Sequence, residues 1–261
     1  MNGMADFSNA DKKRADARCV NIFEGIMMKR SIILTVVIDL LLLALGRGIL
    51  SVPETPVLQE ENVEQAFENI LPCTVRLQSG EVYGSGSIYC LTADEMIVVT
   101  AGHLLVSNRQ EWEITFYDGK KTAGRLIGVS DEADVGFIGI SLSALSKEEL
   151  MQLCRAKTDW DAWEKFGKNS CFFMADVISD NKQPICIQGA MVEKEMFLSD
   201  YGRAMMYGDA YAHPGMSGCG IFDGYGNFVG ILSGATEQNE IAAVPLTEIE
   251  EVYKKTGLFP A

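Results

Sequence analysis

Histidine is scarce in this chain of 261 residues: His103 and His213 are the only two, and none of the seven cysteines is spaced as Cys-x-x-Cys. That pattern excludes the usual ligand sets of a structural zinc site. No metal or other cofactor is expected. Basic residues are also few, 22 against 36 acidic ones, for a net charge of -14. Such a surface repels phosphate backbones, so nucleic acid is not an expected partner. From residue 51 onward there is no low-complexity tract and no clear internal repeat. Apolar residues make up 48% of the chain, enough for one large core or two small ones packed together.

A long uninterrupted hydrophobic run is missing too. Residues 32–45 come nearest, preceded by Lys29 and Arg30, interrupted by Asp39 and closed by Gly46-Arg47-Gly48. That is short for a membrane span, and an acid at mid-membrane costs on the order of 2.5–3.5 kcal/mol. Translation from Met28 would turn residues 28–46 into an ordinary secretory signal ending at Ala44-Leu45-Gly46, with residues 1–27 outside the natural product. Otherwise residues 31–50 form a hydrophobic helix that anchors the chain in the membrane, with the basic flank in the cytoplasm. Both readings place residues 51 onward outside, secreted or anchored. Cys19 precedes the run, and the six cysteines beyond it (Cys73, Cys90, Cys154, Cys171, Cys186 and Cys219) permit disulfides whose pairing stays open.

Residues 51–62 carry Pro53, Pro56 and several glutamates without periodicity, which suits a linker between the tail at 1–30, the leader at 31–50 and a domain over 63–261. Val63, Ala66, Phe67 and Ile70 then predict a short helix. Strands are predicted over 74–77, 86–91, 96–100, 112–117, 122–129 and 135–140, with Asp118-Gly119 the clearest hairpin turn. Ser146 and Glu149 form a capping box that opens a helical insertion. The second half predicts strands over 171–178, 185–192, 204–207, 220–222, 228–233 and 241–244, then a closing helix through Ile249 and Val252. Two sets of about six short strands suggest two antiparallel barrels or sandwiches, an all-β fold.

Three features carry chemistry. Val98-Val99-Thr100-Ala101-Gly102-His103 puts a histidine just past an apolar strand. Asp134-Val135-Gly136-Phe137-Ile138 puts an acid at the start of another, and Gly215-Met216-Ser217-Gly218 sets a serine between glycines. A serine hydroxyl needs a neighbouring imidazole to take its proton, and the imidazole needs a carboxylate to fix its tautomer. Glycines let the backbone turn sharply enough to aim N–H groups at a developing oxyanion, here those of Gly215 and Ser217. Asp131 is the fallback for Asp134. No histidine follows Ser217, which excludes the chain order of an α/β-hydrolase.

These motifs resemble those of trypsin/chymotrypsin-like serine peptidases, over about residues 63–261. Gly84-Ser85-Gly86-Ser87 resembles the strand ahead of the histidine, and Gly230-Ile231-Leu232-Ser233-Gly234 the strand that pairs with substrate backbone. The spacing, and Ala242-Ala243-Val244-Pro245 before the last helix, are nearer to bacterial heat-shock (high-temperature-requirement) proteases. No PDZ module like that of those proteins is expected after the closing helix.

The resemblance implies two antiparallel six-stranded barrels with a C-terminal helix, and a serine endopeptidase acting on protein or peptide substrates. His103, Asp134 and Ser217 would be the triad, with Tyr211 near the base of the primary pocket and Leu232, Ser233 and Ala235 along its wall. None of these is an acid that selects Lys or Arg, so a modest apolar side chain is expected there. His213 is a candidate for the same pocket or a packing residue of its loop. Met216 stands where trypsins carry the aspartate that grips a newly cut N-terminus, so the site is expected to form without propeptide cleavage. Cys219 stands where glycine is usual, and the family's cysteine after the histidine is absent. The rival expectation is a binding or scaffold protein that keeps the fold without turnover.

Overall fold

The computed structural model describes residues 52–105, 110–177 and 183–257. The N-terminal apolar run and Cys19 lie outside the described residues. No described helix is long and apolar enough to cross a membrane.

All twelve expected strands are present, and they close into two antiparallel barrels rather than sandwiches. The first comprises β1 (Thr74–Ser79), β2 (Val82–Leu91), β3 (Glu95–Ala101), β4 (Glu111–Phe116), β5 (Lys121–Ser130) and β6 (Val135–Ser141), in the order β1-β2-β3-β6-β5-β4. The second comprises β7 (Cys171–Asp176), β8 (Ile185–Leu198), β9 (Arg203–Ala210), β10 (Gly220–Asp223), β11 (Phe228–Ala235) and β12 (Glu240–Pro245), in the order β10-β11-β12-β9-β8-β7. Closure removes the exposed edges that short strands would otherwise leave. At Asp118-Gly119 the turn forms as expected: Gly119 has φ +85°, and the Asp118 carboxylate accepts the Lys120 N–H at 3.0 Å.

Helix α1 (Val63–Ile70) is capped by the Asn62 side chain and buries Ala66 and Ile70. Helix α2 (Gly102–Leu105) is a single turn after β3. In the connection between barrels, α3 (Lys147–Leu150) starts at the expected capping box, with Ser146 and Glu149 exchanging hydrogen bonds. A further helix, α4 (Trp160–Lys165), capped by Asp159, was not expected. It buries Trp163 but is too short to show a full apolar period.

Two expectations need adjustment. The 51–62 segment does not hang as a linker. Thr55 and Arg155 join through an N–H to carbonyl bond of 2.9 Å, Leu58 binds the Tyr225 carbonyl at 3.0 Å, and Glu54 pairs with Arg155 and Lys157. Residue β8 runs past its expected end at 192 to Leu198, because Glu193-Lys194-Glu195 breaks the apolar pattern but not the strand. All six described cysteines are free, so no disulfide among them joins the strands, which close through their hydrogen-bonded ladders.

The barrels meet over an aromatic cluster. Tyr89 of β2 lies 5.9 Å from Phe228 of β11, and α5 (Leu246–Lys255) returns from the second barrel to place Tyr253 5.6 Å from Tyr89 and 5.3 Å from Phe137 of β6. The Tyr89 hydroxyl bonds Glu250 on the same helix. Such ring pairs contribute about 0.5–1.5 kcal/mol each beyond the area they bury. Phe137→Ala should therefore destabilise the domain by about 3–5 kcal/mol in urea unfolding. A change below about 1 kcal/mol would mean that this cluster does not hold the barrels together.

Candidate active site

Strand register brings the base and the acid together. β3 and β6 pair from Glu95↔Ser141 to Ala101↔Val135, so the residues just beyond that last pair, Gly102 and Asp134, face one another. Gly102 is needed for the approach, since a Cβ there would lie 2.8 Å from the Val135 nitrogen. His103 follows in α2, and its backbone N–H donates to Asp134 Oδ1 at 2.7 Å. Its ring Nδ1 lies 3.0 Å from the same oxygen and 3.1 Å from Oδ2. This fixes the tautomer: Nδ1 carries the hydrogen, and Nε2 is left to exchange a proton. The His103 side chain is 47% exposed and that of Asp134 14%, so the base is accessible and its orienter is not.

Asp134 is itself in the left-handed region, φ +50°, where a non-glycine residue needs support. Its N–H binds the Asp131 carbonyl at 3.3 Å, and the preceding N–H, of Ala133, binds Ser130 Oγ at 3.2 Å. Arg203 of β9 reaches across from the second barrel to the Ala133 carbonyl. Burial alone would raise the Asp134 pKa. Hydrogen bonds from the His103 ring and Ser233, the His103 charge and the His103 N–H outweigh it and hold the carboxyl below its usual value. Asp131 is exposed in the turn and serves Asp134 through its carbonyl only.

The loop carrying Ser217 docks on the first barrel through Ser85. The Ser85 N–H donates to the Ser217 carbonyl at 2.9 Å, its hydroxyl to the Gly215 carbonyl at 3.0 Å, and its own carbonyl accepts from Thr100 Oγ1 at 2.7 Å. Alternate amides of the loop are engaged: Met216 N–H binds the His213 carbonyl at 3.1 Å, and Gly218 N–H the Leu232 carbonyl at 2.8 Å. Among the described residues, neither Gly215 N–H nor Ser217 N–H donates to a backbone carbonyl. The two amides expected at an oxyanion hole are thus the two left over. Met216 is fully buried, and Cys219 is buried with its thiol donating to the Ala175 carbonyl at 3.2 Å. Burial pushes that thiol up to about 12, so it brings no charge near Ser217.

The residues expected around the primary pocket, Tyr211, His213, Leu232, Ser233 and Ala235, have these surroundings in the structure. Ser233 donates its hydroxyl to Asp134 Oδ2, making it a support of the carboxylate. Leu232 is buried and meets the loop through its backbone, its carbonyl accepting from the Gly218 N–H at 2.8 Å and its N–H donating to the Cys219 carbonyl at 2.9 Å. Ala235 lines a cavity of about 560 Å³ with Gly234, Thr236, Met196 and Tyr201, and neither Tyr211 nor His213 is in its wall. Tyr211 is 57% exposed, its ring 6.0 Å from that of His213, and His213 is turned to Asp176 at 2.8 Å. Ser85, Asp176 and Arg203 were missed as functional residues. Ser85 left a trace as part of Gly84-Ser85-Gly86-Ser87, and Asp176 as an acid closing the apolar strand β7, whereas Arg203 left none.

Gly218 has φ +82°, and a Cβ there would lie 2.2 Å from Thr100 Oγ1 and 2.3 Å from the Ser85 carbonyl oxygen. Gly218→Ala should lower the urea midpoint by an amount worth more than about 1 kcal/mol. An unchanged midpoint would show that the loop is not seated as described.

Comparison with known proteins bears on the fold and the family. The chain is 20% identical over 196 residues to a "Serine protease HtrA-like" protein of Staphylococcus aureus (strain bovine RF122 / ET3-1), covering 67% of this chain but 24% of that protein. The chain thus spans about a quarter of that curated relative. Among solved structures, the "HtrA-type protease AlgW with tripeptide" superposes with a TM-score of 0.62 at 18% identity, over 74% of this chain and 63% of that one. The serine endoprotease from Yersinia pestis does so with a TM-score of 0.59 at 16% identity, over 76% of this chain and 67% of that one. The protein-family model described as "Trypsin-like peptidase domain" matches residues 79–231, from the end of β1 to the middle of β11 and so from ahead of His103 to beyond Ser217, and the chain belongs to that family.

Proposed function

We propose that this chain is a serine endopeptidase in which Ser217 is the nucleophile, His103 the general base and Asp134 its orienter. The observation that carries the reading is the contact of His103 N–H and Nδ1 with one carboxylate, beside a serine loop whose Gly215 and Ser217 N–H groups have no backbone acceptor. Ser217 Oγ attacks the scissile carbonyl as its proton passes to His103 Nε2, and the oxyanion settles on those two N–H groups. Collapse of the tetrahedral species breaks the C–N bond. The leaving amine takes the proton from His103, and water then repeats the sequence on the acyl-enzyme.

The substrate class is protein or peptide, in line with neighbours solved with a tripeptide and a decapeptide. Met216, being buried and apolar, cannot receive a cut N-terminus, which favours a site that assembles without propeptide cleavage.

We further propose that the domain works outside a membrane, on the strength of the basic-flanked apolar run at 32–45. Sequencing the N-terminus of the mature protein should give a start near Arg47 if the leader is cut, or an intact leader if it anchors. Recovery of the intact chain from the cytosol alone would end that proposal.

An alkyl fluorophosphonate tests the chemistry without knowledge of the substrate. Ser217 Oγ forms a bond to phosphorus, fluoride leaves, and His103 takes the hydroxyl proton. The parent should gain one phosphonyl mass, Ser217→Ala and His103→Ala none, and Asp134→Asn should react up to ~10⁴-fold more slowly. A folded parent that stays unlabelled would put the binding-protein reading ahead.

A further inference from the structure

His213 opens the loop that carries Ser217, and both of its ring nitrogens face acceptors. Nε2 lies 2.8 Å from Asp176 Oδ2 and Nδ1 lies 2.9 Å from the Pro214 carbonyl oxygen. A carboxylate and a carbonyl can only accept, so both nitrogens must donate, and only the imidazolium carries two N–H groups. Asp176 ends β7 with its side chain 3% exposed, whereas that of His213 is 24% exposed. A carboxylate so deeply buried is stabilised by a charge-assisted hydrogen bond, which a protonated ring at this place supplies.

The geometry gives this ring a hold on the loop. The Pro214 carbonyl and the Gly215 N–H belong to one planar peptide unit, so pinning the first fixes the direction of the second. The next peptide is pinned at both ends, by Ser85 Oγ on the Gly215 carbonyl and by the His213 carbonyl on Met216 N–H. Gly215 itself has φ +99° and can swing where other residues cannot. Without the ring, the Pro214–Gly215 peptide is held from neither side by these bonds.

We propose that His213, as an imidazolium braced by Asp176, is a positioning residue that sets the Pro214–Gly215 peptide and hence the Gly215 oxyanion donor, so that peptidase activity is lost as His213 gives up its proton. This rests on the assignment of Ser217 and Gly215 made above. When His213 becomes neutral it keeps one N–H. Asp176, the stronger acceptor, retains it, and the Pro214 carbonyl is left without a donor.

Burial would lower the His213 pKa, but the hydrogen bonds to Asp176 and Pro214 and the Asp176 charge outweigh it and raise it above 6.5. The interaction is therefore complete below about 6.5 and is lost as pH rises through the higher folded value. Around the pair stand Tyr211, on the same loop, and Cys219, whose thiol is neutral through this range. Among the described residues, Asp176 is the one charged group acting on His213.

The test is the rate of fluorophosphonate labelling from about pH 5 to about pH 10. A general base alone gives a rise to a plateau, whereas the proposal requires a bell with an alkaline fall. His213→Gln should react about 10–100-fold more slowly at the parent's optimum and lose the alkaline fall, the full loss of one oxyanion donor being worth ~10²–10³. Asp176→Asn, close in shape, should move the fall to lower pH. A parent profile that stays flat on the alkaline side overturns the proposal even if neither variant folds. So does a fall that persists unchanged in both variants. A parent that labels at no pH would instead sink the assignment of Ser217, and this inference with it.

Discussion

The two barrels of this protein would be two inert modules without the grip of Ser85 on the serine loop. One residue of β2 holds the carbonyls of Gly215 and Ser217 while its own carbonyl is tied to Thr100, two residues before the barrel strand gives way to Gly102. Those bonds cross from one barrel to the other at the place where base and nucleophile must meet. A displacement of about 1 Å there is enough to cost a peptidase two orders of magnitude. Ser233 makes the reciprocal connection, from β11 of the second barrel to Asp134 of the first, and Arg203 adds a third at the Ala133 carbonyl. The aromatic cluster under α5 supplies bulk cohesion between barrels, whereas these polar bridges supply position.

The division of labour also explains why substitutions that look drastic in the motif are harmless in the structure. Met216 and Cys219 flank the serine where a charged residue and a glycine would be usual, yet both side chains are buried on the barrel side of the loop. What the loop shows to a substrate is its backbone, and that backbone is set by Ser85, by Gly218 at positive φ and by hydrogen bonds to His213 and Leu232. Side chains below the loop are free to vary so long as they pack.

Much of this was readable from the chain itself. Alternating apolar strands bounded by turn residues gave the twelve strands, and the Asp118-Gly119 turn and the Ser146–Glu149 capping box fell where short-range rules place them. His103, Asp134 and Ser217 stood out as candidates because of their local motifs, and the structure brings the first two into contact. The supports were not visible, because they depend on long-range pairing. Nothing near Ser85 in sequence says that its hydroxyl meets a residue 130 positions away, or that Ser233 turns to a carboxylate 99 positions away. The surroundings of the expected pocket residues were hidden for a related reason: the burial of Leu232 and the pairing of His213 with Asp176, 37 positions away, are set by this chain's own packing.

The order of the parts along the chain has a consequence for biosynthesis. His103 and Asp134 lie just beyond the ends of first-barrel strands, which are all made before those of the second, but Ser217 gains its setting only when β10 and β11 have paired and the loop has reached Ser85. The helix that locks the barrels together is later still, near the C-terminus. On the roles proposed above, a half-made chain carries a base and no nucleophile, and a chain with its nucleophile but unfinished barrels has no seat for it. On that assignment the site is among the last parts of the fold to be completed.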